Sequence, residues 1–166
     1  MRKEICSICG DSAPVTKGKF RFGQVGVPIT LVNIDLIRCE CGNTDPIIEN
    51  VNDLMDVIAR ALVSKHRPLT GSEVRFLRKY LGKSAKEFAA GIGIDPATLS
   101  RWENGLANIG GSGERLVRVL TMTLSPSLKD ERPRAWDIVS EIDEKPARGK
   151  VPQLEVDVRT GNFQYI

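Results

Sequence analysis

Four cysteines supply the side chains with the clearest chemistry in this sequence. They form two close pairs, Cys6-x-x-Cys9 and Cys39-x-Cys41, and a glycine follows each pair, which lets the chain turn back. In a reducing compartment, close cysteine pairs indicate a metal more often than a disulfide. Four thiolates without a nearby histidine match a closed tetrahedral zinc site, with Zn–S distances of about 2.3 Å. Cys6, Cys9, Cys39 and Cys41 are therefore the predicted ligands of a structural Zn²⁺.

Other interpretations of these cysteines stay open. The second pair has one intervening residue where most zinc knuckles have two, and iron accepts the same ligands. A thiol oxidoreductase would use Cys6 and Cys9 as a redox pair, which predicts a helix after Cys6, whereas the residues from Asp11 to Pro14 are typical of a loop. Two unlinked buried thiols are a further alternative.

The rest of the composition argues against catalysis. His66 is the single histidine of 166 residues, which removes most schemes that use a histidine base, and no Gly-rich phosphate-binding loop of the Walker or dinucleotide type occurs. His66 itself lies in a polar connector and is expected to be solvated. No stretch approaches the ~20 apolar residues of a membrane helix, and no signal peptide is recognisable. We expect a cytoplasmic protein that is not an enzyme and has no membrane partner.

Positive charge is concentrated in the middle of the chain. Residues 65–118 contain 10 Lys+Arg and 5 Asp+Glu, whereas the flanking segments have a slight excess of acidic residues. Four zinc-bound thiolates would add a further charge of −2 to the N-terminal part. The basic middle segment therefore indicates a polyanion partner, and the cysteine-containing part does not.

The first fifty residues have the pattern of a small sheet. Residues 19–23 and 29–38 alternate apolar and polar side chains on either side of a Gly/Pro turn. So short a segment cannot bury enough apolar area to fold alone, so metal binding and folding should be coupled. We predict a zinc-binding β lobe at 1–50, followed by a connecting helix and linker at 51–68 whose helix is capped by Asn52 or Asp53.

Three short capped helices follow. Thr70 with Glu73, and Ser84 with Glu87, have the spacing of capping boxes, and Asp95-Pro96 is a third helix start. Gly93 can take the left-handed conformation that a tight turn between helices needs, and Gly105 ends the third helix. On that third helix Leu99 and Trp102 point inward, whereas Ala97, Thr98 and Arg101 point outward at i, i+1 and i+4. A small, polar and basic outer face fits the major groove of DNA.

Residues 81–105, LGKSAKEFAAGIGIDPATLSRWENG, resemble the helix-turn-helix of phage-repressor-like, XRE-family regulators. Combined with the cysteine lobe in front, the architecture is similar to the MqsA (YgiT-type) zinc-finger antitoxins over residues 1–125. The resemblance implies an antitoxin of a type II toxin–antitoxin pair. Its N-terminal lobe would bind the toxin, and its helix-turn-helix would repress its own operon as a homodimer on a palindromic operator.

The resemblance also assigns positions for DNA contact. The base-reading face would consist of Pro96, Ala97, Thr98 and Arg101, and the phosphate contacts would come from Ser84, Ala85, Lys86 and Asn104. Arg101 is the candidate for a guanine O6/N7 contact. Ala97 replaces an amide that many relatives carry, which permits contact with a thymine methyl but excludes bidentate adenine recognition. Glu103 is expected to make a structural salt bridge rather than to face phosphates.

The chain after the motif is predicted to close the bundle and then extend from it. A helix from Ser112 would pack through Leu116, Val119 and Leu120, which completes a helix-turn-helix domain at 69–126. A further amphipathic helix is predicted over residues 130–145, stopped by Pro146 and followed by a linker at 147–150. A hairpin with Gly161 in its turn ends a C-terminal extension at 127–166. An isolated hairpin is marginal, so it must pack on something, such as a dimer mate or another partner.

These features together predict an α+β fold and a zinc-containing, DNA-binding repressor. Two alternative functions are compatible with the same domain architecture. One is a stand-alone regulator without a toxin, and the other is an adaptor whose helix-turn-helix binds protein instead of DNA. Steep loss of affinity with salt would separate the DNA-binding hypothesis from the adaptor.

Overall fold

The computed structural model describes residues 2–142 and 152–166 and has the predicted α+β composition. The strands are β1 (Lys3–Ile5), β2 (Ser12–Phe22), β3 (Ile29–Arg38), β4 (Thr44–Ile47), β5 (Leu154–Asp157) and β6 (Phe163–Tyr165). The helices are α1 (Val51–Val63), α2 (Gly71–Tyr80), α3 (Ala85–Gly91), α4 (Pro96–Glu103), α5 (Gly111–Leu124) and α6 (Ala135–Ser140), with a 3-10 helix at Pro126–Arg134. Residues 143–145, Pro146 and the predicted linker at 147–150 lie outside the described residues.

The chain forms two compact units. The β unit comprises Met1–Gly23, Pro28–Val57 and Pro152–Ile166, and the helical unit comprises Gln24–Val27 and Ile58–Val151, as far as the described residues define them. Helix α1 contributes its first half to the β unit and its second half to the helical unit. The predicted connector at 51–68 is thus divided between the two units.

Strand β3 is the centre of the β unit. One edge of β3 pairs with β2, and the other edge pairs first with β5 and then with β4. Asn33 lies between these two pairings with a φ of 56°, a left-handed conformation that Asn tolerates better than most residues, and its side chain donates to Asp157. The alternation of buried residues along β3 shifts by one position at Asn33. Ile29 and Leu31 are fully buried before it, and Ile34 and Leu36 are fully buried after it.

The C-terminal hairpin forms as predicted, with Gly161 at a φ of 67° between its strands. It packs on the N-terminal sheet of the same chain rather than extending from the helical domain, because β5 runs parallel to β3 and places Ile29 opposite Leu154. Strand β6 pairs with β5, and Leu154 and Val156 are buried in the sheet. Residues 152–166 therefore belong with the first fifty residues rather than with the segment from 127 onward.

Two local predictions in the β unit are also wrong. The segment from Asp11 to Pro14 is mostly strand rather than loop, because β1 pairs with it and places Lys3 opposite Pro14. Helix α1 begins at Val51, and its cap is Asn50, whose side chain accepts from the N–H groups of the next turn.

Caps in the helical unit follow the local sequence. Thr70 and Ser84 both form reciprocal capping boxes with the glutamate three residues later, and Asp95 accepts from the Ala97 N–H at the start of α4. Gly93 has a φ of 71° in the turn after α3, and Gly105 has a φ of 69° after α4. The three helix starts and both turns are confirmed.

Helix α5 begins at Gly111 and faces the opposite way from its prediction. Leu116 and Val119 are exposed, and the side that packs inward instead carries Glu114, Val117, Arg118, Thr121 and Met122. The buried face of α5 is thus built around a charged pair, which apolar spacing alone does not reveal.

Arg118 is fully buried and holds the chain between α1 and α2. Its guanidinium donates to Glu114 at 2.6 Å and to the carbonyls of Val63, Lys65 and Arg67, so it satisfies the backbone at the end of α1. Glu114 in turn accepts from the Leu69 N–H at 2.9 Å. Every polar atom of this network has a partner, as a buried charge requires.

The helix predicted over residues 130–145 is shorter than expected. A 3-10 helix covers Pro126–Arg134, and only Ala135–Ser140 is α-helical, with Ile138 buried. Pro133 lacks the N–H that a regular α-helix would use at this position. Among the described residues, the helices are all too short or too polar to cross a bilayer.

Candidate nucleic-acid interface and metal centre

Helix α4 presents the predicted base-reading residues on its outer side. Leu99 on the inner side is fully buried, whereas Pro96, Ala97 and Arg101 are exposed and Thr98 is half-buried. The cap at Asp95 fixes the first turn of the helix, with a hydrogen bond of 2.7 Å from the Ala97 N–H. The structure therefore leaves this face open to a partner, and contact with DNA bases stays a prediction.

The predicted phosphate contacts lie at two places. Ser84, Ala85 and Lys86 are exposed at the start of α3. The Ser84 N–H donates to Glu87 at 2.9 Å in the capping box, so the backbone N–H groups that can meet an anion are those of Ala85 and Lys86. Asn104 is exposed at the end of α4, but its side chain already accepts from Arg75 at 2.7 Å and donates to the Ser100 carbonyl. Asn104 would reach a phosphate only by giving up one of these bonds.

A buried carboxylate holds α4 against α2. Glu103 accepts from Arg78 at 2.6 and 3.0 Å and from Arg75 at 3.1 Å, which confirms its predicted structural role. Burial opposes ionisation of Glu103, but the hydrogen bonds from the two arginines outweigh it and lower the pKa of that carboxyl. Arg78 also donates to the Lys83 carbonyl, so the same group fixes the turn between α2 and α3. Sequence analysis did not identify either arginine, although their i, i+3 spacing places them on one face of α2.

The excess of positive charge in residues 65–118 is retained at the surface. All five acidic residues are engaged in caps or buried pairs: Glu73, Glu87, Asp95, Glu103 and Glu114. Of the cations, Lys79, Lys83, Lys86 and Arg101 are exposed on α2, α3, α4 and the turn between α2 and α3. Glu87 and Asp95 are exposed as well, but the exposed cations outnumber them and are available to a polyanion.

The structure brings the four cysteines together. Two turns hold them, one between β1 and β2 and the other between β3 and β4, and all four Sγ atoms lie within 4.8 Å of one another. The Sγ atoms of Cys6 and Cys41 are 3.7 Å apart, and those of Cys9 and Cys39 are 3.3 Å apart. Four sulfurs bound tetrahedrally at about 2.3 Å from one ion would be about 3.8 Å apart, so the cluster can hold a metal ion.

Backbone N–H groups favour ionisation at this cluster. Those of Cys9 and Ile8 lower the pKa of the Cys6 thiol to about 6, against the opposing effect of burial. For Cys9, the Asp11 N–H lowers the thiol pKa, but the neighbouring Cys39 and burial outweigh it, so that pKa is raised. One negative charge is therefore stabilised, and further ones need a cation to neutralise them. Cys6 is followed by a turn and a strand rather than by the helix that a redox pair predicts.

Comparison with known proteins adds one finding. Residues 74–112 match a family model described as helix-turn-helix, and this segment contains every residue predicted to contact DNA. Curated proteins and solved structures gave no match. Together with the capped helices and the tight turn at Gly93, the match identifies residues 74–112 as a DNA-binding helix-turn-helix of the XRE type.

Proposed function

We propose that the protein is a sequence-specific, non-catalytic transcriptional repressor that binds a palindromic operator as a homodimer in the cytoplasm. The observation that carries this proposal is the exposed outer face of α4 within the matched helix-turn-helix. A helix that is anchored by a buried leucine and a buried carboxylate keeps its outer residues in fixed positions, as base recognition requires.

The residues on that face suggest how DNA would be read. Arg101 would donate to guanine O6 and N7, and Ala97 would approach a thymine methyl. The Ser84 hydroxyl, the Ala85 N–H and the ammonium of Lys86 would bind the phosphate backbone and set the register of α4. Glu87 and Asp95 are the exposed carboxylates of this segment, and the exposed lysines and arginines outnumber them, so the net field still favours phosphates.

We further propose that the cysteine cluster binds Zn²⁺ in a structural role. Four sulfur ligands leave no coordination position for a substrate, and their spacing fits the tetrahedral geometry that zinc adopts. When bound, the ion would cross-link the β1–β2 and β3–β4 turns, with Cys6, Cys9, Cys39 and Cys41 as its ligands.

An antitoxin role is the most specific form of this proposal. It rests on the combination of a cysteine cluster in a small sheet with an XRE-type helix-turn-helix, with the β unit as the toxin-binding part. Expression of the reading frame next to this one should arrest growth, and co-expression of this chain should restore it. If expression of the neighbouring reading frame does not arrest growth, the protein is a stand-alone regulator and not an antitoxin.

DNA binding is tested with duplexes selected by the protein from a random pool. Affinity for a selected duplex should fall steeply between 50 and 200 mM salt, by ~10-fold or more for a few phosphate contacts. Arg101→Ala should cost ~1–3 kcal/mol in discrimination between selected and random duplexes. Arg21→Ala, which removes an exposed arginine from β2, is the matched control and should change neither.

Two results would contradict the proposal. Selection that yields no enriched sequence would exclude specific recognition. Binding that does not change with salt would favour an adaptor that uses the helix-turn-helix to contact protein.

A further inference from the structure

A network of side-chain hydrogen bonds links the two turns that carry the cysteines. Ser7 lies in the turn after β1, and Asn43 and Asp45 lie at the entry to β4. One carboxylate oxygen of Asp45, Oδ2, accepts from the Ser7 hydroxyl at 2.7 Å, from the Ser7 N–H at 3.3 Å and from the Asn43 amide at 2.8 Å. The bonds between Ser7 and Asp45 span 38 positions of sequence. These three residues, which we call the Asp45 network, therefore join one cysteine turn to the other.

The Asp45 network reaches the sulfur of Cys6. The amide nitrogen of Asn43 lies 3.6 Å from the Cys6 Sγ and 3.3 Å from the Ser7 Oγ. Cys6 is 2% exposed and is the buried member of the four cysteines, so water cannot solvate a charge on it. A thiolate there depends on donors from the protein, and Asn43 adds one to the backbone N–H groups of Ile8 and Cys9.

Asp45 determines which end of the Asn43 amide faces the cluster. An ionised carboxylate only accepts hydrogen bonds, and the Ser7 hydroxyl gives its proton to Asp45, so both groups present acceptors to the amide. The Asn43 carbonyl would be repelled at this position by the carboxylate, the hydroxyl oxygen and the thiolate alike. The amide nitrogen, with its two hydrogens, is therefore the end that faces Cys6.

Charge alone does not explain a carboxylate at this place. A divalent cation with four thiolates has a net charge of −2, so a further negative charge nearby is unfavourable by Coulomb's law. Asp45 is nevertheless half-buried, with its hydrogen bonds directed between the two turns. The contribution of Asp45 to the site is therefore geometric rather than electrostatic.

We infer that Asp45 is a positioning residue of the metal site, which fixes the two cysteine turns against each other and presents the Asn43 N–H to the sulfur of Cys6. The inference rests on the proposed binding of Zn²⁺ and extends the site beyond its four ligands. Hydrogen bonds that orient metal ligands ordinarily strengthen metal binding by ~10–100-fold. Turns that are already joined also lose less conformational entropy when an ion binds.

The affinity of the full chain for Zn²⁺, measured by competition with a chelating dye, tests this inference. Asp45→Asn keeps the size of the side chain but gives it a donor, so the Asn43 amide is no longer held in one orientation. The dissociation constant of the Zn²⁺ complex should rise by ~10–100-fold. If Asp45 acted through its charge, the same substitution would tighten binding, because it removes a negative charge from the neighbourhood of the thiolates.

Asp35→Asn is the matched control. It makes the same chemical change in the same pair of strands, since Asp35 lies opposite Ile47 on β4. Asp35 is paired with Arg2 and Arg159 and not with the cysteine turns. The control should leave the dissociation constant unchanged or lower it slightly, so the two substitutions should differ in the sign of their effect.

Cobalt substitution provides a measurement that a general loss of rigidity would not change. In the chain saturated with Co²⁺, a hydrogen bond from Asn43 stabilises the lone pairs of the Cys6 sulfur. Asn43→Leu removes this donor at nearly constant volume and should move the thiolate-to-cobalt charge-transfer band to longer wavelength. Asp45→Asn should give a smaller shift in the same direction, and Asp35→Asn should give none. The visible bands of tetrahedral Co²⁺ should persist in all three variants, because the four ligands are unchanged.

Ser7→Ala decides the question if Asp45→Asn does not fold. Ser7 is exposed and the substitution removes one hydroxyl, so the variant should have the circular dichroism of wild type in saturating Zn²⁺. It loses the 2.7 Å bond to Asp45 and should bind Zn²⁺ more weakly than wild type, by less than Asp45→Asn.

Three results would overturn the inference. They are wild-type affinity in Asp45→Asn, wild-type affinity in Ser7→Ala, and an unshifted charge-transfer band in Asn43→Leu. In each case tight binding by the wild-type chain would still support the proposed zinc site. A wild-type chain that binds neither Zn²⁺ nor Co²⁺ would remove the zinc site and the inference together.

Discussion

The secondary-structure elements of the two units are defined by contacts that span different distances along the chain. In the β unit, Asn33 bonds Asp157 from 124 positions away, and Cys6 lies beside Cys41 from 35 positions away. In the helical unit, the capping boxes join residues three positions apart, and Arg118 joins Glu114 one turn away. The helical unit can therefore form its elements locally, whereas the β unit depends on bringing distant segments together.

The two units also differ in how the charges of their packed side chains are neutralised. In the helical unit, Lys65 is buried beside Glu73 and Arg118 beside Glu114. Each of these buried charges is therefore neutralised by an opposite charge from the same chain. The cysteine cluster of the β unit instead brings four thiols to one place, where their thiolate charges would repel one another. We expect the β unit to require an external cation, and the helical unit to be independent of it.

Among the tests of this difference between the two units, removal of the metal should have the largest effect. Chelation, or Cys39→Ser, should release the ion and abolish strand structure in the β unit, because a small sheet with distant pairings loses its cross-link. Both tryptophans, Trp102 and Trp136, are in the helical unit, so their emission should stay unchanged while far-ultraviolet circular dichroism falls. A shift of tryptophan emission in step with the dichroism would show that the units do not unfold separately.

Loss of Arg118 should have the next largest effect, confined to the helical unit. Arg118→Met leaves Glu114 buried without its counter-charge and frees three backbone carbonyls, so the free energy of unfolding should fall by ~3–5 kcal/mol. Urea titration followed by tryptophan emission measures it. Lys79→Ala, which changes an exposed cation on α2, should stay within about 0.5 kcal/mol of wild type. A loss below about 1 kcal/mol for Arg118→Met would mean that the network adds little.

Glu103 should give a smaller effect that depends on pH. Its pKa is lowered in the folded state, so its contribution is present above the unfolded pKa and disappears as pH falls through the folded value. Glu103→Gln should cost ~2 kcal/mol at pH 7, by weakening charge-assisted hydrogen bonds to Arg78 and Arg75. Unfolding at pH 7 and at progressively lower pH should show the difference between wild type and variant shrinking in acid. A difference that is constant with pH would assign the loss to packing.

The same distinction between local and distant contacts explains what sequence reasoning could predict. The caps at Thr70, Ser84 and Asp95 and the turn at Gly93 follow from residues within one turn of each other, and all four were identified. The cysteine cluster was predictable across a longer distance because two close cysteine pairs are typical of a metal site, even though the second pair has one intervening residue.

Distant pairing explains what could not be predicted. Nothing near Leu154 indicates that its strand lies beside β3, so the hairpin could not be placed. The orientation of α5 depends on backbone carbonyls at Val63 and Arg67, more than fifty positions before Arg118, which decide that a charge rather than a leucine points inward. Apolar spacing predicts which side chains could share a face, but the available hydrogen-bond partners determine which face is buried.

The smallest effect tests whether the helix-turn-helix geometry is as local as this comparison implies. Gly91 and Gly93 flank the end of α3, and a Cβ added at either would meet no atom within 4 Å. Only Gly93 has a positive φ, of 71°, so Gly93→Ala should destabilise the helical unit by ~1 kcal/mol through backbone strain. Gly91→Ala should stabilise it by ~0.5–1 kcal/mol, because alanine restricts the unfolded chain and favours the helix. Urea unfolding followed by tryptophan emission should therefore move in opposite directions for two substitutions that differ by two positions. If both shift the same way, the turn is determined by packing from elsewhere in the unit and not by the conformation of its own glycine.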